Sequence, residues 1–404
     1  MTNDITPTRA AASTDRVAGP VQGLLLISMS CLSVLGAVLL APAQPQILAE
    51  FAGTQSSNWL VPLVITTPAL MVGLLALGAG RIVDAVGRMR LLTVALVVYA
   101  VFGTAPLYLH SLVSIVGSRV GVGIAEAAIM TCSTTLIADY FVGKQRARYL
   151  GLQVVFSSLS AVVFIGLGGA LAQSSWRTPF WVYGVGLLFA LLVPLVLWSP
   201  TKANRSDVSS LSPIDWRALA IPLAVTAFGG VVFYVPIVEI PYALSDVGMT
   251  GAGPIGAVSA LVAVATAIGA ISFMRIGKLG PKTLLPSAFG TAGLGITVIG
   301  LAGTPVVVAI GGVIASAGCG VLLPTLLTWV LGALKFEERG RGTGAWTACL
   351  FLGQFSSALV VLAISAAVGG LFAALVAVGV LSLALALMAT RLASVRTAVP
   401  AFES

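Results

Sequence analysis

Arg119 and Glu126 stand seven residues apart inside an otherwise apolar run, 112–138. Seven residues make two helical turns, so both side chains share one face, roughly 10 Å apart along the axis. A charge in hydrocarbon is costly, and such residues mark ion or proton paths or pair with one another. Arg119 stays protonated at any accessible pH. Burial and a nearby guanidinium act on a carboxyl in opposite senses, which suits Glu126 to taking up and releasing a proton. A direct salt bridge requires both side chains to be extended. A structural ion pair and a proton site therefore both stand as readings.

Glu239 is a second buried candidate, in Phe233-Tyr234-Val-Pro236-Ile-Val-Glu239-Ile-Pro241-Tyr242. The two prolines each remove a backbone donor and are expected to break the helix beside a cavity. An acid flanked by Tyr234 and Tyr242 suits a cationic or amphiphilic ligand, through charge and cation–π contact. Gln153, Ser157 and Ser160 recur at helical spacing, and Gln44, Gln46, Gln354 and Trp346 are further candidate lining groups. Serine and glutamine also join membrane helices simply by bonding one another.

The sequence Gly80-Arg-Ile-Val-Asp84-Ala-Val-Gly87-Arg88-Met-Arg90 separates two long apolar runs. It is read as a tight turn in which Gly80 and Gly87 allow close approach or positive φ. Asp84 has nearby basic groups or helix N-terminal amides to accept from. Farther on, Asp139-Tyr-Phe-Val-Gly-Lys-Gln-Arg146-Ala-Arg148 forms a second charged connection. An echo of the first, Arg275-Ile-Gly277-Lys278-Leu-Gly280-Pro-Lys282, lacks the aspartate.

The elements that hold these groups follow from composition. Of 404 residues 58% are hydrophobic and 8% charged, with a mean hydropathy of +1.07. Soluble chains carry about 25% charged residues, so lipid is the solvent for most of this one. Apolar runs at 21–48, 58–80, 91–110, 112–138, 149–172, 178–198, 217–244, 254–274, 284–302, 305–334, 343–366 and 370–390 give twelve spans, most meeting the ~20 residues a helix needs to cross a bilayer. The class is all-α integral membrane, twelve helices in two pseudo-symmetric six-helix bundles, 20–198 and 217–392. A linker at 199–216 and tails at 1–19 and 393–404 complete the division. The polar 1–19 stretch does not read as a cleavable signal peptide.

Twelve spans place nineteen of the 21 basic residues on one face, with Arg119 inside a span and Arg177 opposite. By the positive-inside rule that basic face and both termini are cytoplasmic. The +8 net charge is thus a topology signal, and no nucleic-acid partner is expected. The four cysteines, Cys31, Cys132, Cys319 and Cys349, all fall inside spans and read as packing residues, so no metal or cofactor is expected. One histidine, His110, and no catalytic cluster argue against an enzyme. The two-halves layout fits a rocking carrier better than a channel, and no G-x-x-x-x-G-K-[ST] loop provides for ATP.

Three motifs make the chain resemble the major facilitator superfamily, over all twelve spans. Gly80, Asp84, Gly87, Arg88 and Arg90 match the signature G-x-x-x-D-x-x-G-R-x-R. Arg119 and Gly123 match R-x-x-x-G, and the stretch from Asp139 to Gly151 resembles the companion loop. The resemblance implies that the first loop latches the two halves on the cytoplasmic side in the outward-open state, with Asp139, Arg146 and Arg148 as part of that gate. It further implies a monomer of the bacterial-type inner membrane, with protons, a small-molecule substrate and the lipid bilayer as partners. Span five has the glycines of proton antiporters, Gly166, Gly168 and Gly169, without their Gly-Pro pair. The Arg119–Glu126 spacing is similar to that of spinster-type carriers. Proton-coupled export of small amphiphilic molecules is the expected function. A proton symporter or facilitator for uptake is the alternative, and a non-transporting receptor or sensor is the reading from another class.

Overall fold

The computed structural model describes residues 18–54, 56–199, 214–335 and 338–392. The expected tails and most of the 199–216 linker lie outside the described residues, as do the side chains of Arg81 and Asp84. Long apolar sequences leave backbone groups nowhere to bond but within their own helix, and helices account for every span. Span one is α1 (Pro20–Val38), a 3-10 turn (Ala41–Ala43) and α2 (Gln44–Glu50). Then come α3 (Ser57–Leu75), a short α4 (Ala79–Val86), α5 (Arg88–Thr104), α6 (Leu112–Tyr140) and α7 (Gly143–Ala172). A 3-10 stretch (Thr178–Gly184) leads into α8 (Val185–Val196) and ends the first bundle. The second bundle is α9 (Trp216–Asp246), α10 (Ala252–Ile276), α11 (Gly280–Gly300), α12 (Pro305–Gly332), α13 (Arg339–Val368) and α14 (Leu371–Leu392).

Among the described residues eleven stretches are long and apolar enough to cross a membrane, and the 49-residue stretch Ala252–Gly300 comprises two helices, α10 and α11. Twelve spans result. Each bundle has its own apolar core, one dominated by α1–α8 and one by α9–α14. The outward surface is apolar too, with Leu195 80% and Met274 76% exposed, as lipid-facing helices require.

Two sequence expectations are corrected. The motif from Gly80 to Arg90 is not a tight turn throughout but the helix α4, with the turn confined to Gly87 before α5. Only Gly87 needs to be glycine there: its φ is +90°, whereas no described residue lies within 4 Å of a side chain at Gly80, whose φ is ordinary. Likewise α9 is unbroken over 31 residues despite Pro222, Pro236 and Pro241, because neighbouring helices take up the backbone groups that prolines free. The carbonyl of Val232, four residues before Pro236, accepts from the Cys319 thiol at 3.7 Å.

The duplicate connector follows the same logic. After α10 a 3-10 turn (Gly277–Leu279) leads to Gly280, whose φ is +72°. Gly87→Ala is expected to cost about 1–3 kcal/mol, the price of a side chain in a glycine-only conformation. Gly80→Ala is expected to be neutral, and the thermal midpoint of each variant in detergent checks the contrast.

The bundles meet differently at their two ends. At the end away from the basic residues, a Cβ on Gly169 of α7 would lie 2.7 Å from the Gly256 Cα and the Ala252 carbonyl of α10. Within the first bundle at the same end, Gly168 lets α7 press against the Leu39 carbonyl, which a Cβ there would overlap. All buried residues of α7 (Ile165, Gly168, Gly169, Ala172) fall at this end. Every described hydrogen bond between the bundles is here too: Tyr234 to the Ala37 carbonyl, Gln44 to the Val238 carbonyl and Tyr242 to Gln44. Nearer the basic end, α3 and α13 cross at Gly73, where a Cβ would lie 3.2 Å from the Ala348 carbonyl. A cavity of about 120 Å³ between α3, α6 and α13 opens beside that crossing, lined by Ala76, Met130, Thr131 and Thr347.

Candidate functional site

Arg119 is carried on α6 and is fully buried. Its helix comes close to α3 because position 123 is glycine: a Cβ there would lie 2.7 Å from the backbone of Pro68. That accounts physically for the Arg119–Gly123 spacing. The guanidinium lies over the rings of Tyr183, at 4.7 Å, and Phe180, at 5.5 Å. Both rings come from the 3-10 stretch (Thr178–Gly184), where residues three apart eclipse one another. Tyr99 of α5 backs the cage, its ring 5.2 Å from that of Tyr183 and its hydroxyl donating to the Leu32 carbonyl at 2.9 Å. Cation–π contact in a dry site is worth about 2 kcal/mol. It offsets only part of the burial cost of a charge, several kcal/mol on the order of magnitude. None of the three guanidinium nitrogens has a hydrogen-bond partner among the described residues.

Glu126 lies two turns farther along α6, 2% exposed, and its Oε1 also lacks a partner among the described residues. No direct ion pair joins it to Arg119, so the structural-pair reading loses its main support. Its carboxyl rests against α1 at Gly36, where a Cβ would overlap Oε1. The next residue, Ala37, accepts the Tyr234 hydroxyl of α9 at 2.8 Å. Glu239 lies five residues on from Tyr234, 6% exposed. Span one thus touches Glu126 through Gly36 and meets α9 on either side of Glu239.

Gly36→Ala is a direct probe of this arrangement. The obstructing atom is the tip of a flexible side chain, so the Glu126 carboxyl moves while the helices stay. Detergent stability is expected to hold and proton-linked transport in liposomes to fall about tenfold or more, the usual scale for a displaced proton-transfer group.

The remaining sequence candidates separate. Gln153 donates to Ser30 Oγ at 2.8 Å and Thr134 Oγ1 at 3.1 Å, tying α7 to α1 and α6. The Ser157 carbonyl accepts from Ser160, and Gln354 is buried where α13 packs on α9 at Gly230. Trp346 is not near the acids: it packs with Leu219, Val330 and Leu334 toward the basic end. Asp139 pairs with Arg88 rather than with Arg146, whose Nε donates to the Phe141 carbonyl at 3.0 Å. Arg90 and Arg148 are exposed. The aromatic cage was absent from the sequence reading. Its one signal was the pair Phe180 and Tyr183 at i, i+3, opening the apolar run of span six.

Among known proteins, the family model described as Major Facilitator Superfamily matches residues 26–278. Quinolone resistance protein NorA of Staphylococcus aureus (strain MRSA252) is 26% identical over 204 residues, 48% of this chain and 52% of the relative. Quinolone resistance protein NorB of Staphylococcus aureus (strain JH9) is 27% identical over 164 residues, 40% of this chain and 34% of the relative. The chain thus spans about half the length, or less, of these curated relatives. Two solved structures share the fold. A bacterial homologue of the human lysosomal transporter Spinster, inward-facing and unoccupied, has a TM-score of 0.75 at 18% identity, covering 95% of this chain and 100% of that one. The human organic anion transporter MFSD10 (TETRAN) has a TM-score of 0.67 at 16% identity, covering 92% and 100%.

Proposed function

The chain belongs to the major facilitator superfamily, and we propose that it exports small amphiphilic organic molecules in exchange for protons, by alternating access. It is a multi-pass membrane transporter and not an enzyme. The observation that carries the finer reading is the pair of buried charges on α6, Arg119 and Glu126, whose guanidinium nitrogens and Oε1 have no hydrogen-bond partner among the described residues. A carboxyl with a free oxygen, held two turns from a fixed cation, is equipped to gain and lose a proton. Glu239 is the second acid, and Tyr234, Tyr242, Gln153, Ser157 and Gln354 stand around or between the helices that carry the two. Trp346 is a candidate only on the approach from the basic end.

In this reading the basic face is cytoplasmic, the membrane is a bacterial-type inner membrane, and a monomer is the working unit. The tight contacts lie at the opposite end, which supports a state open toward the cytoplasm. Loss of the Glu126 proton to that side leaves a carboxylate that attracts a cationic or amphiphilic molecule. Reprotonation from the other side, once the bundles have rocked, releases it. The quinolone-resistance relatives favour export of drug-like compounds.

Proteoliposomes loaded with a pH-sensitive dye test the proposal against a panel of lipophilic cations and neutral amphiphiles. The expected result is proton movement opposite to that of a transported compound, saturating with its concentration. Proton movement in the same direction would replace export with symport, and saturable flux with no proton movement would make the chain a facilitator.

A further inference from the structure

Gln44 begins α2, just after span one is interrupted by the 3-10 turn at Ala41–Ala43. It is completely buried, a costly place for an amide unless both its ends are bonded. Both are, and both bonds cross to the other bundle. Nε2 donates to the Val238 carbonyl at 3.1 Å, and Oε1 accepts from the Tyr242 hydroxyl at 3.3 Å. One turn back on the same stripe of α9, the Tyr234 hydroxyl donates to the Ala37 carbonyl at 2.8 Å. Residues 234, 238 and 242 are successive i, i+4 neighbours and face one way. Tyr234 and Val238 pack into the core of the first bundle rather than their own.

Glu239 is next to Val238, about 100° round the helix from this stripe. The rotation of α9 about its axis decides where that carboxyl points, and the stripe fixes the rotation. Pro241 makes the local ladder weaker, since it has no N–H to give to the Ile237 carbonyl. Bonds from outside the helix therefore reinforce a turn whose own ladder lacks one rung.

We infer that Gln44 is a positioning residue for Glu239, aiming its carboxyl and linking that aim to closure of the end opposite the basic face. The inference rests on the proposed function only in giving Glu239 a part in the coupled site. When this end closes, the amide grips α9 on both sides of the acid, and when it opens, the grip is lost and α9 is free to turn. A ligand or proton that alters Glu239 thereby alters the contact holding the end shut.

The test reads Glu239 directly and needs no substrate. Purified protein is treated with dicyclohexylcarbodiimide, and modification of Glu239 and of Glu126 is followed by peptide mass spectrometry. Gln44→Met keeps the side-chain volume and removes both bonds, and Tyr242→Phe removes one. With each net bond worth about five- to tenfold in an opening equilibrium, Glu239 modification is expected to rise by that factor in Tyr242→Phe and further in Gln44→Met. Glu126 modification stays at the wild-type rate in both, and the double variant reacts no faster than Gln44→Met. A rise at both acids together would mean general loosening, and no rise at either would mean packing alone. Either result overturns the inference. If Gln44→Met does not fold, Tyr242→Phe answers with the same pair of readings. Failure of the antiport assay would leave these rates interpretable, so the two ideas fail separately.

Discussion

Glu126→Gln is expected to reduce proton-linked transport to the level of empty liposomes while leaving the protein folded. The amide fits the space of the carboxyl but has no proton to exchange. Stability should change little or rise, because a buried carboxyl oxygen without a partner contributes cost rather than attraction. Arg119 keeps its cage in this variant, since its contacts are with Tyr183 and Phe180 and not with Glu126. Counterflow exchange of a transported compound, which requires no net proton movement, is expected to survive and separates loss of coupling from loss of binding. Retention of full proton-driven transport in Glu126→Gln would move the coupling role to Glu239.

Gly169→Val is expected to be the most damaging change at the seam between the bundles. Its Cβ would lie 2.7 Å from both the Ala252 carbonyl and the Gly256 Cα. Those are backbone atoms of α10, so no side-chain rotation relieves the clash and α7 and α10 must separate. Overpacking of this kind costs about 1–3 kcal/mol or more, which disfavours the closed arrangement of that end by about ten- to a hundredfold. Spin labels at Ser174→Cys and Thr250→Cys, both exposed positions, report the separation. The distance distribution is expected to shift to longer values with transport abolished. An unchanged distribution with normal transport would show that the seam is not what closes this end.

Much of this architecture was legible because lipid imposes a simple rule on sequence. An apolar run of about twenty residues has one structural solution, and span boundaries fell near the expected positions for α6, α12 and α13. Arg119 and Glu126 could be placed on one face from spacing alone. The cage around Arg119 could not, because Phe180 and Tyr183 come from one element, Tyr99 from a second and Arg119 from a third, and only tertiary packing unites them. Polar residues were recognised as polar but not by what they bond. Gln153 and Tyr234 were candidate ligand contacts, and both spend their hydrogen bonds on other helices. Local rules also misjudged α4 and α9, where glycine or proline in the sequence suggested a break and packing kept a helix. For Gln44 the partners lie 194 and 198 residues away, beyond any local pattern.

The two ends of the molecule rely on different chemistry, and this has a consequence for dissolved salt. At the end away from the basic residues, the bundles are held by glycine contacts and by hydrogen bonds of amides, hydroxyls and carbonyls. None of these carries a net charge. At the other end Arg88 and Asp139 pair within the first bundle, tying the start of α5 to the end of α6 while partly exposed to solvent, where mobile ions weaken attraction within a Debye length of about 8 Å at physiological strength. Raising ionic strength thus weakens that tie between α5 and α6 and leaves the opposite closure untouched, so that the surrounding electrolyte acts on this transporter from one side only.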